Sequence, residues 1–169
     1  MKKDIMHHCS ATPQDQELSL LGLQRMHVKV GINPPGGYHA YVRRDGTIHY
    51  LRPFGSTGAH CRGRNRDSLG FCYEGGIVAG GDKNKASDAA DTRTDKQKAS
   101  LIRLTLEGLA WNKDQGVDIC SVEIIGHRDE SPDIDGDGEI EPWEFMKQCP
   151  CYDAKSEYED IKKYFLAWF

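Results

Sequence analysis

Val122-Glu-Ile-Ile125-Gly126-His127 is the stretch on which the fold turns. A short run dominated by β-branched residues reads as a buried strand, and a histidine emerges at its end. Near the start of the chain Ile5-Met-His-His8 repeats the arrangement, closed by Cys9-Ser10-Ala11-Thr12-Pro13, where proline and small polar residues break the strand. Parallel or neighbouring strands would bring the two strand-end histidines side by side.

The segments between them alternate in type. Asp15 to Lys29 carries Leu18, Leu21, Leu23 and Met26 at near-helical spacing, with Gly31 as a stop. Tyr38 to Val42 and Thr47 to Leu51 flank Arg43-Arg44-Asp45-Gly46, a hairpin signal because Asp-Gly tolerates the positive φ of a tight turn. Ser68 to Tyr73 reads as a further strand, closed by Gly75-Gly76, and Gly80 to Arg93 as a polar, mobile loop. Thr94-Asp-Lys-Gln97 has the form of a capping box, opening a helix with Ile102, Leu106 and Leu109 on one face and an end near Asn112 to Gly116. Glu157 to Phe169 closes the chain as an amphipathic helix with Tyr158, Ile161, Phe165 and Trp168 in its stripe. Strands alternating with helices give a single α/β domain over residues 1–169, with no internal repeat and no splitting linker.

Bulk properties narrow the function. At 169 residues the chain can bury roughly 70% of its unfolded surface without an external staple. The formal charge is −4, yet Asp133 to Glu144 alone holds six acids and no base, so the remainder is slightly positive. No basic stripe with interleaved aromatics is present, which argues against a nucleic-acid partner. The longest apolar runs are too short to span a bilayer, and Met1-Lys2-Lys3-Asp4 leads into histidines rather than an apolar signal core. The expectation is a monomer, made in the cytoplasm and not embedded in a membrane. Six cysteines are too few for a disulfide scaffold, although a Cys61–Cys72 pair stays open.

Function is most legible between His127 and Cys149. Asp133-Ile-Asp135-Gly-Asp137-Gly138-Glu139-Ile-Glu-Pro-Trp-Glu144 fills every constrained position of the D-x-[DN]-x-[DN]-G-x₅-E calcium pattern. Asp133, Asp135 and Asp137 would each offer a carboxylate, Glu139 its carbonyl and Glu144 a bidentate carboxylate, with Pro142 opening an exiting helix. Behind it Lys147-Gln-Cys149-Pro150-Cys151 supplies a soft thiolate, and a thiolate with two imidazoles is a zinc set. Among seven histidines His8 and His127 stand at strand ends, whereas His27 falls in a helix, His39 and His49 in the hairpin and His60 in a loop. Taken singly, a histidine, Lys147 or Tyr38 is more often a structural or solvated residue; together they carry weight.

The blocks His8-Cys9-Ser10-Ala11-Thr12, Gly37-Tyr38-His39, Arg44-Asp45-Gly46-Thr47, Gly58-Ala59-His60 with Gly63, Asn65, Ser68 and Gly70, then His127 and Lys147-Gln-Cys149-Pro150 resemble zinc-dependent N-acetylmuramoyl-L-alanine amidases of type 2. These share a fold with peptidoglycan recognition proteins and phage amidase lysozymes. The resemblance implies a central mixed β-sheet flanked by helices, with Zn2+ on His8, His127 and Cys149. It also implies Tyr38 and Lys147 as catalytic groups, His60 and Asn65 as substrate contacts, and peptidoglycan or muropeptide as substrate. Some branches carry a catalytic glutamate where this chain has Cys72, which places the chain with the endolysin-like branch. The acidic twelve-residue segment, an EF-hand-like insertion at 133–144, departs from the family; a calcium ion there would order the chain leading into the zinc site. The competing readings are a peptidoglycan-binding module without catalysis, against which Cys149 stands, and a calcium-regulated interaction protein, which leaves Tyr38 and Lys147 unexplained.

Overall fold

A computed structural model describes residues 2–33 and 35–169. Its strands are β1 (Asp4–Cys9), β2 (Thr12–Pro13), β3 (Ala40–Val42), β4 (Ile48–Tyr50), β5 (Ser68–Tyr73), β6 (Gly76–Ile77) and β7 (Glu123–Gly126). Its helices are α1 (Leu20–Lys29), α2 (Asp95–Asp114) and α3 (Ala154–Trp168). Five strands form a mixed sheet in the order β4-β3-β5-β1-β7, and β2 pairs with β6 separately. Within this sheet β1 runs parallel to both β5 and β7, β3 runs parallel to β5, and the β3–β4 hairpin is antiparallel.

Period-two alternation sorts the buried residues of β1 to two faces. Ile5 and Cys9 join a core with Leu69, Phe71, Leu101, Leu104, Tyr158 and Phe165, which seats α2 and α3 on one face of the sheet. Met6 packs instead with Cys61 and Ile125 on the other face, where His8 also points toward the His60 loop. Leu104 and Leu109 are fully buried, and each such side chain contributes roughly 1.5–3 kcal/mol by leaving water. Truncation of Leu104 to alanine would cost about 2–5 kcal/mol.

Several boundaries differ from the sequence expectation for physical reasons. α1 starts at Leu20 rather than near Asp15, because Leu18 is claimed elsewhere: its N–H donates to Glu74 Oε1 at 2.5 Å and its carbonyl accepts from Tyr41 Oη at 2.8 Å. Ser19 then caps the helix by accepting from Gly22 N. Leu21 and Met26 are exposed, and α1 is anchored in the core by buried Leu23, with Leu20 partly buried beside it. Tyr38 precedes β3 instead of lying in it. The Thr94 capping box forms as read. α3 begins three residues early, where Asp153 accepts from Ser156 N, and Trp168 is exposed rather than part of the buried stripe.

Residues 80–93, read as a mobile loop, fold back on β6. Val78 N–H donates to Asp88 O, Ala90 N–H to Gly76 O, and a 3-10 turn spans Ala86–Asp88. Aspartates that bond nearby backbone make such order without apolar burial. No exiting helix follows the acidic loop: Pro142 to Glu144 is a turn. All six cysteines are free, so the Cys61–Cys72 alternative is not realised. No helix is long and apolar enough to cross a membrane among the described residues.

Candidate metal centre and cleft

His7 pairs with Gly126 across the parallel β1–β7 ladder, so the next residues, His8 and His127, leave the sheet at the same strand ends. Open α/β sheets bind ligands at this edge. Cys149 reaches it from the C-terminal side, with Arg128 N–H donating to Cys149 O at 2.7 Å. One nitrogen from each histidine and the Cys149 sulfur lie within 4.8 Å of one another. His8 Nδ1 is 3.8 Å from Cys149 Sγ, and the His8 and His127 rings are 4.7 Å apart. The sequence-assigned ligands therefore converge.

The surroundings suit a metal. His8 is 1% exposed, and its Nε2 lies 3.0 Å from His60 Nδ1. With Nε2–H donating to His60, His8 Nδ1 is left as the ligand nitrogen, the arrangement that orients metal-binding imidazoles. Burial, then the neighbouring His60 and His127, holds the His8 imidazole well below its ordinary range. Burial, then Lys147, brings His127 down to about 4. Both rings are thus neutral near pH 7, with lone pairs available. Burial pushes the Cys149 thiol up, and a cation at this point would reverse that preference by favouring the thiolate. Cys9 N–H already donates to Cys149 Sγ at 3.1 Å.

Two glycines explain why the His60 block reads as it does. A Cβ on Gly58 or on Gly70 would sit 2.5 Å from the His60 ring, closer than atoms can pack, so both positions must lack a side chain for the ring to back His8. The backing role of His60 was not read from sequence; the glycines at −2 and +10 from it were the available signal. Asn65, expected at the substrate, spends its Oδ1 on the backbone N–H groups of His60 and Cys61 at 2.6 and 2.9 Å. It holds the His60 loop and is absent from the cleft lining.

The cluster opens into a cleft of about 530 Å³. Tyr38, His60 and Lys147 all line it. The Tyr38 ring stands 5.1 Å from that of His8, and burial followed by nearby cysteines raises its phenol well above the ordinary value, so it stays protonated. Cys72 lies beside His8 in the β1–β5 register, and burial raises its thiol as well. A neutral thiol there supplies no carboxylate base.

Three of the remaining histidines are tied to the scaffold by hydrogen bonds. His7 is buried between Thr105 Oγ1, 3.1 Å from Nε2, and Tyr152 Oη, 2.9 Å from Nδ1, and it stacks on Tyr158. His39 Nδ1 accepts from Gly70 N–H and His27 Nδ1 from Gly37 N–H.

The acidic insertion is a separate feature. Asp133, Asp135 and Glu144 form one group of carboxylates, and Asp135, Asp137 and Glu141 another. Glu144 is 3% exposed and accepts from Ile134 N at 2.5 Å and from Glu141 N at 2.9 Å. Asp133 accepts from Gly136 N and Gly138 N, while the side chain of Glu139 stands outside both groups. Ser131 Oγ accepts from Met146 N at 3.0 Å and closes the loop at its base.

Residues 2–151 match the family described as N-acetylmuramoyl-L-alanine amidase. An uncharacterized protein of Haemophilus influenzae is 41% identical over 112 residues, 66% of this chain and 85% of that protein. The endolysin of Klebsiella phage KP32 is 27% identical over 155 residues, 92% of this chain and 84% of the endolysin. Among solved structures, the N-acetylmuramoyl-L-alanine amidase LysC from Clostridium intestinale superposes with a TM-score of 0.63 at 22% identity, covering 98% of this chain and 85% of that one.

Proposed function

Because the chain belongs to the N-acetylmuramoyl-L-alanine amidase family, we propose that it is a zinc-dependent peptidoglycan hydrolase cleaving the amide between the lactyl group of N-acetylmuramic acid and L-alanine of the stem peptide. The observation that carries this reading is the His8–His127–Cys149 cluster, of which His127 and Cys149 line the cleft while His8 is buried behind them against His60. A zinc ion held by those three residues would supply a water acidified toward ~7 and a Lewis acid for the scissile carbonyl.

This chain's own groups do the rest. The buried His8–His60 contact fixes one ligand's ring and tautomer before substrate arrives. Lys147, on the cleft wall, places a cation where oxyanion charge develops, an interaction worth on the order of 3 kcal/mol when preorganised. Tyr38 keeps its proton, so it acts as a hydrogen-bond donor to the water or the developing alkoxide rather than as a base. Cys72 being neutral, the groups left on this wall to give a proton to the leaving amine are Tyr38 and Lys147.

The acidic loop is proposed to take Ca2+ through Asp133, Asp135, Asp137, the carbonyl of Glu139 and Glu144. What supports it is the filled ligand pattern and the crowding, since Glu144 beside it raises the Glu141 carboxyl above the usual range. Lys147 and Cys149 follow Glu144 by three and five residues, so order in the loop would carry into the site.

The test is mass spectrometry of a muramyl-pentapeptide incubated with the protein as purified, after chelation, and after return of zinc alone or zinc with calcium. Free stem peptide, lost on chelation and regained with zinc, is the expected result. Intact substrate in every arm would overturn the amidase assignment. Equal melting temperature and turnover with and without calcium, zinc being retained, would remove the loop's role.

A further inference from the structure

We propose that Lys83 and Lys85 make the cleft selective for stem peptides bearing a free carboxylate beyond the scissile bond, an inference that rests on the amidase reading above. The chain has more acids than bases, 26 to 22, yet the lining of the cleft contains Lys83, Lys85 and Lys147 and no aspartate or glutamate. A wall of one sign in a concave site focuses potential toward ligands of the other sign.

Lys147 is assigned to the reacting carbonyl. The other two lysines stand on the segment after β6, a different wall from the one built by Phe145 to Gln148. That segment is held in place by the acids nearest to it. Asp82 N–H donates to Asp88 Oδ2 at 2.8 Å, Asn84 N–H to Asp82 Oδ1 at 2.9 Å, and Gly80 N–H to Asp15 Oδ1 at 3.0 Å. Lys85 N–H donates to Asp82 O at 2.9 Å. The carboxylates are thus turned to the backbone, and among the described residues neither lysine enters an ion pair. A peptide running from the metal cluster along the cleft and bearing a carboxylate past L-alanine would bring that carboxylate to these ammonium groups.

Both lysines are exposed, so the attraction is a screened one and acts equally on bound substrate and transition state. It should therefore appear in KM and not in kcat. The test compares two muramyl tripeptides that differ only in whether the second residue presents a free carboxylate or its amide, at low and high salt. Wild type, Lys83→Gln/Lys85→Gln and Lys83→Arg/Lys85→Arg are assayed, with melting temperature as the folding control. For wild type at low salt the free acid should show a KM about fivefold below the amide, the size expected of a few exposed charge contacts. The glutamine variant should close that gap by raising KM for the acid alone, with kcat unchanged, and the arginine variant should keep it. Equal wild-type KM for acid and amide, or an equal rise for both in the glutamine variant, overturns the proposal while leaving the amidase intact. No release from either substrate by wild type would instead overturn the amidase reading itself.

Discussion

The strand-end cluster and the acidic insertion both gather groups able to hold cations, but they are built oppositely. His8 and His127 are set by a parallel ladder whose register is locked by the core beneath it, so their relative position follows from packing. The segment from Ser131 to Met146 that carries the insertion contains no helix or strand, and its carboxylates are placed by turns and by bonds to their own backbone. A site built on sheet edges is positioned before any ligand arrives. One built on a turn-rich loop depends more on the ion that fills it.

That contrast can be broken most severely at its rigid end. Cys149→Ser should reduce peptide release to background and abolish stoichiometric zinc, measured by elemental analysis, while the fold survives because the residue lies at the rim of the core. Next in size, His60→Ala should weaken zinc or turnover by about 10–100-fold with the three ligands intact, because it frees the His8 ring. Retention of wild-type zinc affinity and turnover would mean that His60 does not orient His8.

The loop side should respond instead to the calcium proposed for it. Saturating calcium at about 100 times its dissociation constant should stabilise wild type by roughly 2.7 kcal/mol in thermal unfolding, and Asp135→Asn should remove that gain while leaving calcium-free stability nearly unchanged. A gain that persists in the variant would place calcium elsewhere.

The smallest effect concerns the ion-pair cluster around Tyr152, three residues beyond Cys149. Arg93 stacks over Tyr152 and pairs with Asp91 and Glu157. Burial alone would raise Asp91, but the hydrogen bonds and charge of Arg93 outweigh it and hold the carboxyl below its ordinary range. A depressed folded value means that Asp91 contributes stability above the unfolded pKa of about 3.9 and loses it as pH falls through the folded one. Melting temperature should drop over that window in wild type, and the slope should be shallower in Asp91→Asn.

Much of this was legible in the residues, for identifiable reasons. Ser68–Tyr73 and the Thr94 capping box followed from period and cap chemistry, and the meeting of His8, His127 and Cys149 from strand ends, thiolate chemistry and the family resemblance together. The start of α1 was not, because Glu74 and Tyr41 take the backbone of Leu18 from 56 and 23 residues away. Nor were the two roles of the His60 block, since a ring braced between Gly58 and Gly70 and an Asn65 turned onto backbone are contacts that only folding brings together. His7, directly beside a proposed ligand, is a core residue by strand alternation alone.

The closure of the insertion at its base has a consequence for how such a chain can change. Ser131 and Met146 are bonded across a gap of 3.0 Å, so everything between them forms a detachable circuit whose ends already meet. Exchanging it for a shorter turn alters loop-closure entropy by only about 0.6 kcal/mol per halving of length. The chain can therefore be re-equipped at this one address, for another ion or another surface, by swapping a cassette that contains none of the three proposed zinc ligands.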